Sequence, residues 1–337
     1  MSRAAVIGGV VTNQKPPRSP LWDMPHPLPQ LTDDQSAHRP MVAAHAVPWP
    51  GEMAVFRSPS FDGFELLTTF GSRARIGELV SDFYSGPTSR FDLGNDLVVD
   101  LLTGTLESVT DLTLFGGANA IAIESAPGTW EVVQAGTADL IAPGRYRLTR
   151  LLRGQRGTEA AMANPASAGA RVVVLDASLA SLPIAEADLG LPWNWRIGPA
   201  SRPVSGETYV AIPFTPEGAG LRPFSVVHVE QTWRRPRTPG DLTIRWTRRS
   251  RALSADSWGA MEVPLVEEAE AYEVEILDGA TIKRTLTTST PSVIYTGADQ
   301  TADWGALLGP GDTLTIRIFQ LSALIGRGAA KTVTLTF

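Results

Sequence analysis

The sequence predicts a mainly β protein. Short runs of alternating apolar and polar residues recur along the chain, and 31 Gly and 26 Pro are spread between them as turn punctuation. A hydrophobic content of 43% is enough to bury real cores, and 337 residues fit two or three domains. Four segments follow: an extended Pro-rich arm over residues 1–50, a β-rich domain over 51–177, a Pro/Trp-rich connector with one edge strand over 178–224, and a β-sandwich over 225–337.

The arm comes first. Pro16, Pro17, Pro20, Pro25, Pro27, Pro29, Pro40, Pro48 and Pro50 interrupt any helix. Such a segment does not fold alone, so it is expected to lie across another subunit or domain, with Trp22 and Trp49 as anchors. His26, His38 and His45 are spaced by 12 and 7 residues, which matches no usual ligand pattern, so no metal is expected.

In the β-rich domain, strands are expected at Ala54–Phe56, Phe64–Leu67, Leu97–Leu101, Leu112–Phe115, Ile121–Ile123, Trp130–Val133, Tyr146–Leu151 and Val172–Leu175. Ile76 to Tyr84 fits both periods and is read as a strand followed by a turn. Asp92, Asp96 and Asp100 surround Gly94-Asn95, but calcium loops use tighter spacing and end in Glu. They are therefore read as solvated turn residues. After the Tyr146 run comes Arg153-Gly154-Gln155-Arg156-Gly157-Thr158-Glu159, too rich in glycine for a helix and too poor in apolar area for a strand. It lacks the Lys that a phosphate-cradling loop requires. A structural corner is expected, with Arg153, Arg156 and Glu159 supplying charge-assisted hydrogen bonds.

In the connector, Tyr209–Ile212 reads as an edge strand because Pro213 follows it. Trp193 and Trp195, one residue apart, would point the same way from a strand and could stack a sugar or fill a domain joint. The last segment alternates at Leu242–Trp246, Tyr272–Ile276, Ile282–Leu286, Val293–Tyr295, Leu314–Ile318 and Val333–Phe337, with Asp278-Gly279 as a hairpin turn. Trp246, Tyr272-Glu273-Val274 and the Leu308–Leu314 turn resemble a fibronectin type III module. Leu314 stands where that family keeps its corner tyrosine, so packing is expected to hold the corner.

The chemistry-bearing residues do not converge on a catalytic pattern. His228 lies in a strand-like run with no nucleophile assigned to it, and Glu124 with Glu131 is only one of many carboxylate pairs. No enzymatic activity and no cofactor are expected. Glu267, Glu268, Glu270, Glu273 and Glu275 read as a solvated acidic face. Arg234, Arg235, Arg237, Arg245, Arg248, Arg249 and Arg251 form a basic cluster that either screens this face or binds a polyanion such as a lipopolysaccharide phosphate. The possible surface-recognition residues are Trp193, Trp195, Arg234, Arg235, Arg248 and Arg249. A net charge of -6 argues against nucleic acid. Zero cysteines exclude disulfides, and the N-terminal run lacks a signal-peptide pattern, so synthesis in the cytoplasm without export signal or membrane insertion is expected.

The stretch from Tyr146 to Glu159, followed by Gly169-Ala170-Arg171-Val172-Val173-Val174-Leu175-Asp176, resembles tail-tip (host-specificity) proteins of long-tailed phages. In particular it is similar to the C-terminal portion of the baseplate megatron proteins of alphaproteobacterial gene transfer agents. Pro48-Trp49-Pro50-Gly51, Gly128-Thr129-Trp130-Glu131, Gly220–Ser225, Gly240–Arg251 and Ala302-Asp303-Trp304-Gly305 extend the likeness over roughly residues 40–337. The resemblance implies a virion component at the tail tip, usually trimeric, that joins the hub to cell-facing modules. Its partners would be other tail-tip or baseplate proteins and, in the alternative reading, a cell-surface glycan. The longer relatives carry a hub and a glycosidase-like barrel upstream, which this chain lacks, so cell-wall cleavage is not carried over.

Overall fold

The computed structural model describes residues 21–22, 37–231, 239–251 and 263–337, and these belong to two compact units, Met1–Gly220 and Leu221–Phe337. His26, Arg234, Arg235, Arg237 and most of the Pro-rich arm lie outside the described residues. The protein is mainly β, as the alternation predicts. Among the described residues no helix is long and apolar enough to cross a membrane.

In the first unit the strands are β1 (Leu21–Trp22), β2 (Met41–Val42), β3 (Met53–Ser58), β4 (Glu65–Phe70), β5 (Ile76–Leu79), β6 (Leu97–Leu101), β7 (Ala120–Ala126), β8 (Thr129–Ala142), β9 (Arg145–Leu152), β10 (Arg171–Val174), β11 (Ala180–Ser181), β12 (Trp193–Pro199) and β13 (Val210–Phe214). Six of them close an antiparallel barrel in the order β10-β5-β6-β9-β8-β7. Alternate residues of each strand fill its interior. Val172, Val174, Ile121, Ile123, Val133, Leu148, Leu97 and Val99 form one buried cluster. The intervening residues Val173, Ala120, Ala122, Ile76 and Val132 form a second cluster with Ala43 and Ala74. After the exposed Arg171, strand β10 is apolar from Val172 to Val174 because both of its faces are covered there.

Three sequence expectations give way here. The segment 178–224 is not merely a connector: β12 is a central strand of a second sheet, β13-β12-β3-β4, with Trp195 and Ile197 in its core. Only β13 is the expected edge strand, and Pro213 fits there because an edge position needs no second ladder. The end of the 1–50 segment is likewise core rather than arm, since Val42, Ala43 and Ala44 are fully buried and β2 pairs with β1 and β11. A third correction is local. Asp111–Phe115, expected as a strand, is the short helix α1, nucleated by Thr110, whose hydroxyl accepts from the Thr113 N–H.

The second unit is a fibronectin type III-like sandwich of β14 (Val227–Gln231), β15 (Leu242–Thr247), β16 (Tyr272–Asp278), β17 (Thr281–Thr288), β18 (Ser292–Tyr295), β19 (Thr313–Ser322), β20 (Gly326–Arg327) and β21 (Lys331–Thr336). One sheet runs β14-β15-β18; the other runs β17-β16-β19, with β20 and β21 both paired to β19. Trp246 packs edge-on to Tyr272 at 5.1 Å in a core with Ile244, Val274, Ile316 and Leu335. Leu314 is packed in the same core, as expected of that corner. A helix the alternation does not reveal, α2 (Gly297–Trp304), carries the fully buried Gln300. Its amide donates to the carbonyls of Gly240 (2.9 Å) and Tyr295 (2.8 Å) and accepts from the Leu308 N–H (3.2 Å). Arg284 grips Asp303, which also accepts from the Tyr295 hydroxyl at 2.8 Å.

Candidate functional site

The most densely organised polar site lies at one end of the barrel, and strand β9 creates it. After pairing with β6 as far as Leu148, β9 passes through Arg150, whose φ of 55° is left-handed. Leu151 then exchanges both backbone hydrogen bonds with Asp92 at 2.8 and 3.1 Å. That exchange brings the Asp92 carboxylate beside the residue that follows the strand, Arg153.

Arg153 is 1% exposed, an unusual position for a guanidinium. It meets Glu131 of β8 as a fork, Nε to Oε1 at 2.7 Å and Nη2 to Oε2 at 2.9 Å. Nη1 donates to Asp92 Oδ2 (3.0 Å) and to the Tyr84 carbonyl (2.8 Å), while the Phe83 ring lies 4.0 Å from the guanidinium carbon. Burial alone would raise the Asp92 pKa. The Asn95 amide, Arg153 and the N–H groups of Gly94 and Asn95 outweigh it and hold the carboxyl below its ordinary range. Asp92 is therefore not the solvated turn residue its glycine-rich surroundings suggested. Gly86 closes the remaining wall: a Cβ there would stand 2.1 Å from Asp92 Oδ2 and 2.9 Å from Arg153 Nη1.

The rest of the Arg153–Glu159 segment wraps this ion cluster. Gly154 (φ 56°) donates to Glu131 Oε1 at 3.2 Å, and a side chain at that position would press within 2.8 Å of the Glu159 Cα. Arg156 also adopts a left-handed φ of 60°, strain that a non-glycine residue carries only when its surroundings fix it. Burial lowers its pKa from the ordinary arginine value. Gly157 follows at φ 80°. The Thr158 hydroxyl donates to the Gln155 carbonyl (2.7 Å) and accepts from the Val132 N–H of β8 (2.9 Å). Four hydrogen bonds of the Arg153 guanidinium are made inside the protein, and its side chain is fully buried. Such an arrangement locks strands together and offers no free acid, base or anion site. Among the described residues no three His, Asp or Glu side chains are grouped to hold a metal ion.

The other predicted residues are dispersed. Trp193 and Trp195 do share a face of β12, but Trp195 is fully buried, its Nε1 donating to the Phe214 carbonyl at 3.0 Å. It is not a surface-recognition residue, because the sheet packs β2 and Leu182 over that face. Trp193 sits at the rim. Arg248 is paired with Glu270 (2.8 Å), Arg251 with Glu267 (2.8 Å), and Arg249 lies over Phe224 and reaches Ser225. Arg248 and Arg251 thus screen Glu270 and Glu267, and the acidic run is not a uniformly solvated face: Glu275 is 0% exposed, held by Arg317 and Arg327. Glu124 is engaged by Arg171 and Glu131 by Arg153, so these carboxylates do not form an acid–base pair.

The family described as Rcc01698-like, C-terminal, matches residues 74–173, under a third of the chain. No curated protein matches. Among solved structures, the chain is similar to domains d3–d4 of the rat CD45 extracellular region, at 10% identity over 38% of this chain and 55% of that one (TM-score 0.24). It is also similar to the FN5 domain of Drosophila Lar, at 17% identity over 34% and 98% (TM-score 0.19). A third is the glycoside hydrolase domain of Endo-D from Streptococcus pneumoniae R6, at 10% identity over 77% and 32% (TM-score 0.21).

Proposed function

We propose that this chain is a structural, non-enzymatic component of the tail tip of a phage-like particle of the gene-transfer-agent type, linking the hub to cell-facing modules as a homotrimer. One observation carries the reading: the family match over residues 74–173 coincides with the closed barrel, which runs from Ile76 to Val174. The part matched by the Rcc01698-like family is therefore the barrel with its ion-locked corner, and it contains Tyr146 to Glu159, whose sequence resembles tail-tip proteins. A role in assembly agrees with the chemistry of that corner, whose charges are spent on each other. Its partners are other baseplate proteins, and its place is the virion, with no nucleic acid or membrane contact required.

The test is immunogold labelling of purified particles with antibody raised against the chain. Gold at the distal end of the tail is expected. Label on heads, or particles from which the chain is missing by mass spectrometry, overturns the proposal.

A further inference from the structure

We infer that the rim of the β13-β12-β3-β4 sheet carries a binding site for a neutral saccharide, centred on Trp193. Strands β12 and β13 put Trp193 directly opposite Phe214, and the two rings border an open cleft of about 250 Å³. That volume lies just under the range for drug-sized ligands and suits one or two sugar rings. Pro59, Pro192 and Pro213 form rigid walls, and Asn194 and Thr215 are the polar residues of the lining.

The site is pre-organised. Arg57 lies 4.3 Å from the centre of a Trp193 ring and is itself anchored to Asp188 at 2.7 Å, so the indole is held in place. Asn194 donates to the Ser60 carbonyl at 3.1 Å, which fixes the loop bearing Pro59. Trp195 and the Phe214 ring pack edge-on at 6.4 Å beneath.

The occupant follows from the lining. No charged side chain lines the cleft, and the nearby Arg57 guanidinium is neutralised by Asp188, so the lining gives an anion no charged partner. Ring surface beside neutral hydrogen-bonding groups matches a sugar, whose C–H faces are apolar and whose edges carry hydroxyls. This inference is independent of the assembly role, and each can fail without the other.

The test uses the full chain on an array of neutral and anionic glycans, with a deca-proline peptide as competing occupant, followed by saturation-transfer NMR on the bound glycan. Neutral glycans should be retained, with transfer from aromatic protons. Trp193→Ala and the cleft-filling Thr215→Arg should each weaken binding by about tenfold or more. Because Thr215 is only half-buried and follows the end of β13, the second variant should keep its melting temperature, which a thermal melt checks, and it carries the test even where the first loses its fold. Retention of anionic glycans alone, of the peptide alone, or of neutral glycans undiminished by Thr215→Arg overturns the inference.

Discussion

Arg153 separates a structural corner from a binding loop. A guanidinium of this exposure survives burial only when its charge is matched and its N–H groups are taken, and Glu131, Asp92 and the Tyr84 carbonyl do both. Removing it leaves two buried carboxylates facing each other without a cation. Arg153→Ala should therefore destabilise the barrel by about 3–5 kcal/mol in chemical denaturation at neutral pH. The pH dependence distinguishes this account from simple loss of volume. The folded Asp92 pKa is depressed, so its stabilising contribution is present above its ordinary value near 3.8 and is lost as pH falls through the folded value. In Arg153→Ala the part of that depression that Arg153 supplies is relieved, while the Asn95 and Gly94 hydrogen bonds remain, and the stability gap to the parent should narrow below about pH 4. A gap that stays constant down to pH 3 would sink the ion-lock account.

At the scale of elements, Gln300 does for the sandwich what Arg153 does for the barrel. Three hydrogen bonds from one buried amide join the approach to β15, the end of β18 and the approach to β19. Gln300→Ala should cost about 1–3 kcal/mol, because buried backbone groups lose their partners, whereas Thr301→Ala on the exposed side of α2 should change little. Equal melting temperatures for the two variants would refute a special role for Gln300. Much of the strand pattern was legible, because a half-buried strand must alternate: Leu97–Leu101 and Leu242–Trp246 announce themselves this way. The failures have equally physical causes. Asp111–Phe115 alternates over five residues, too few for period to separate helix from strand, and the Thr110 cap was the signal that could have found it. Strand β12 does alternate over Trp193-Asn194-Trp195-Arg196-Ile197, but Pro192 before it and Gly198-Pro199 after it confine the pattern to five residues inside a proline-rich stretch. The glycine corner was readable from composition. The lock beneath it was not, since the partners of Arg153 lie 22 and 61 residues away and only barrel closure brings them together.

For the whole molecule, the division into Met1–Gly220 and Leu221–Phe337 says where independent folding should be found. The sandwich has its own core, from Val226 through Trp246, Tyr272 and Tyr295 to Leu335, and its sheets are completed by strands within residues 221–337. A unit of this size with one continuous core can fold alone. The barrel unit, by contrast, recruits Ala43 and Ala74 to the outside of β10 and draws Val42 into the sheet of β3 and β12. A fragment of residues 74–173, the span of the family match, keeps Ala74 but loses Ala43 and Leu175, which leaves the outer face of β10 partly bare. Residues 221–337 expressed alone should thus give a dispersed amide NMR spectrum and a single cooperative unfolding transition, while residues 74–173 alone should aggregate or melt without cooperativity. A well-folded 74–173 fragment would mean that the barrel interior suffices by itself and that the flanking cluster around Ala43 is dispensable.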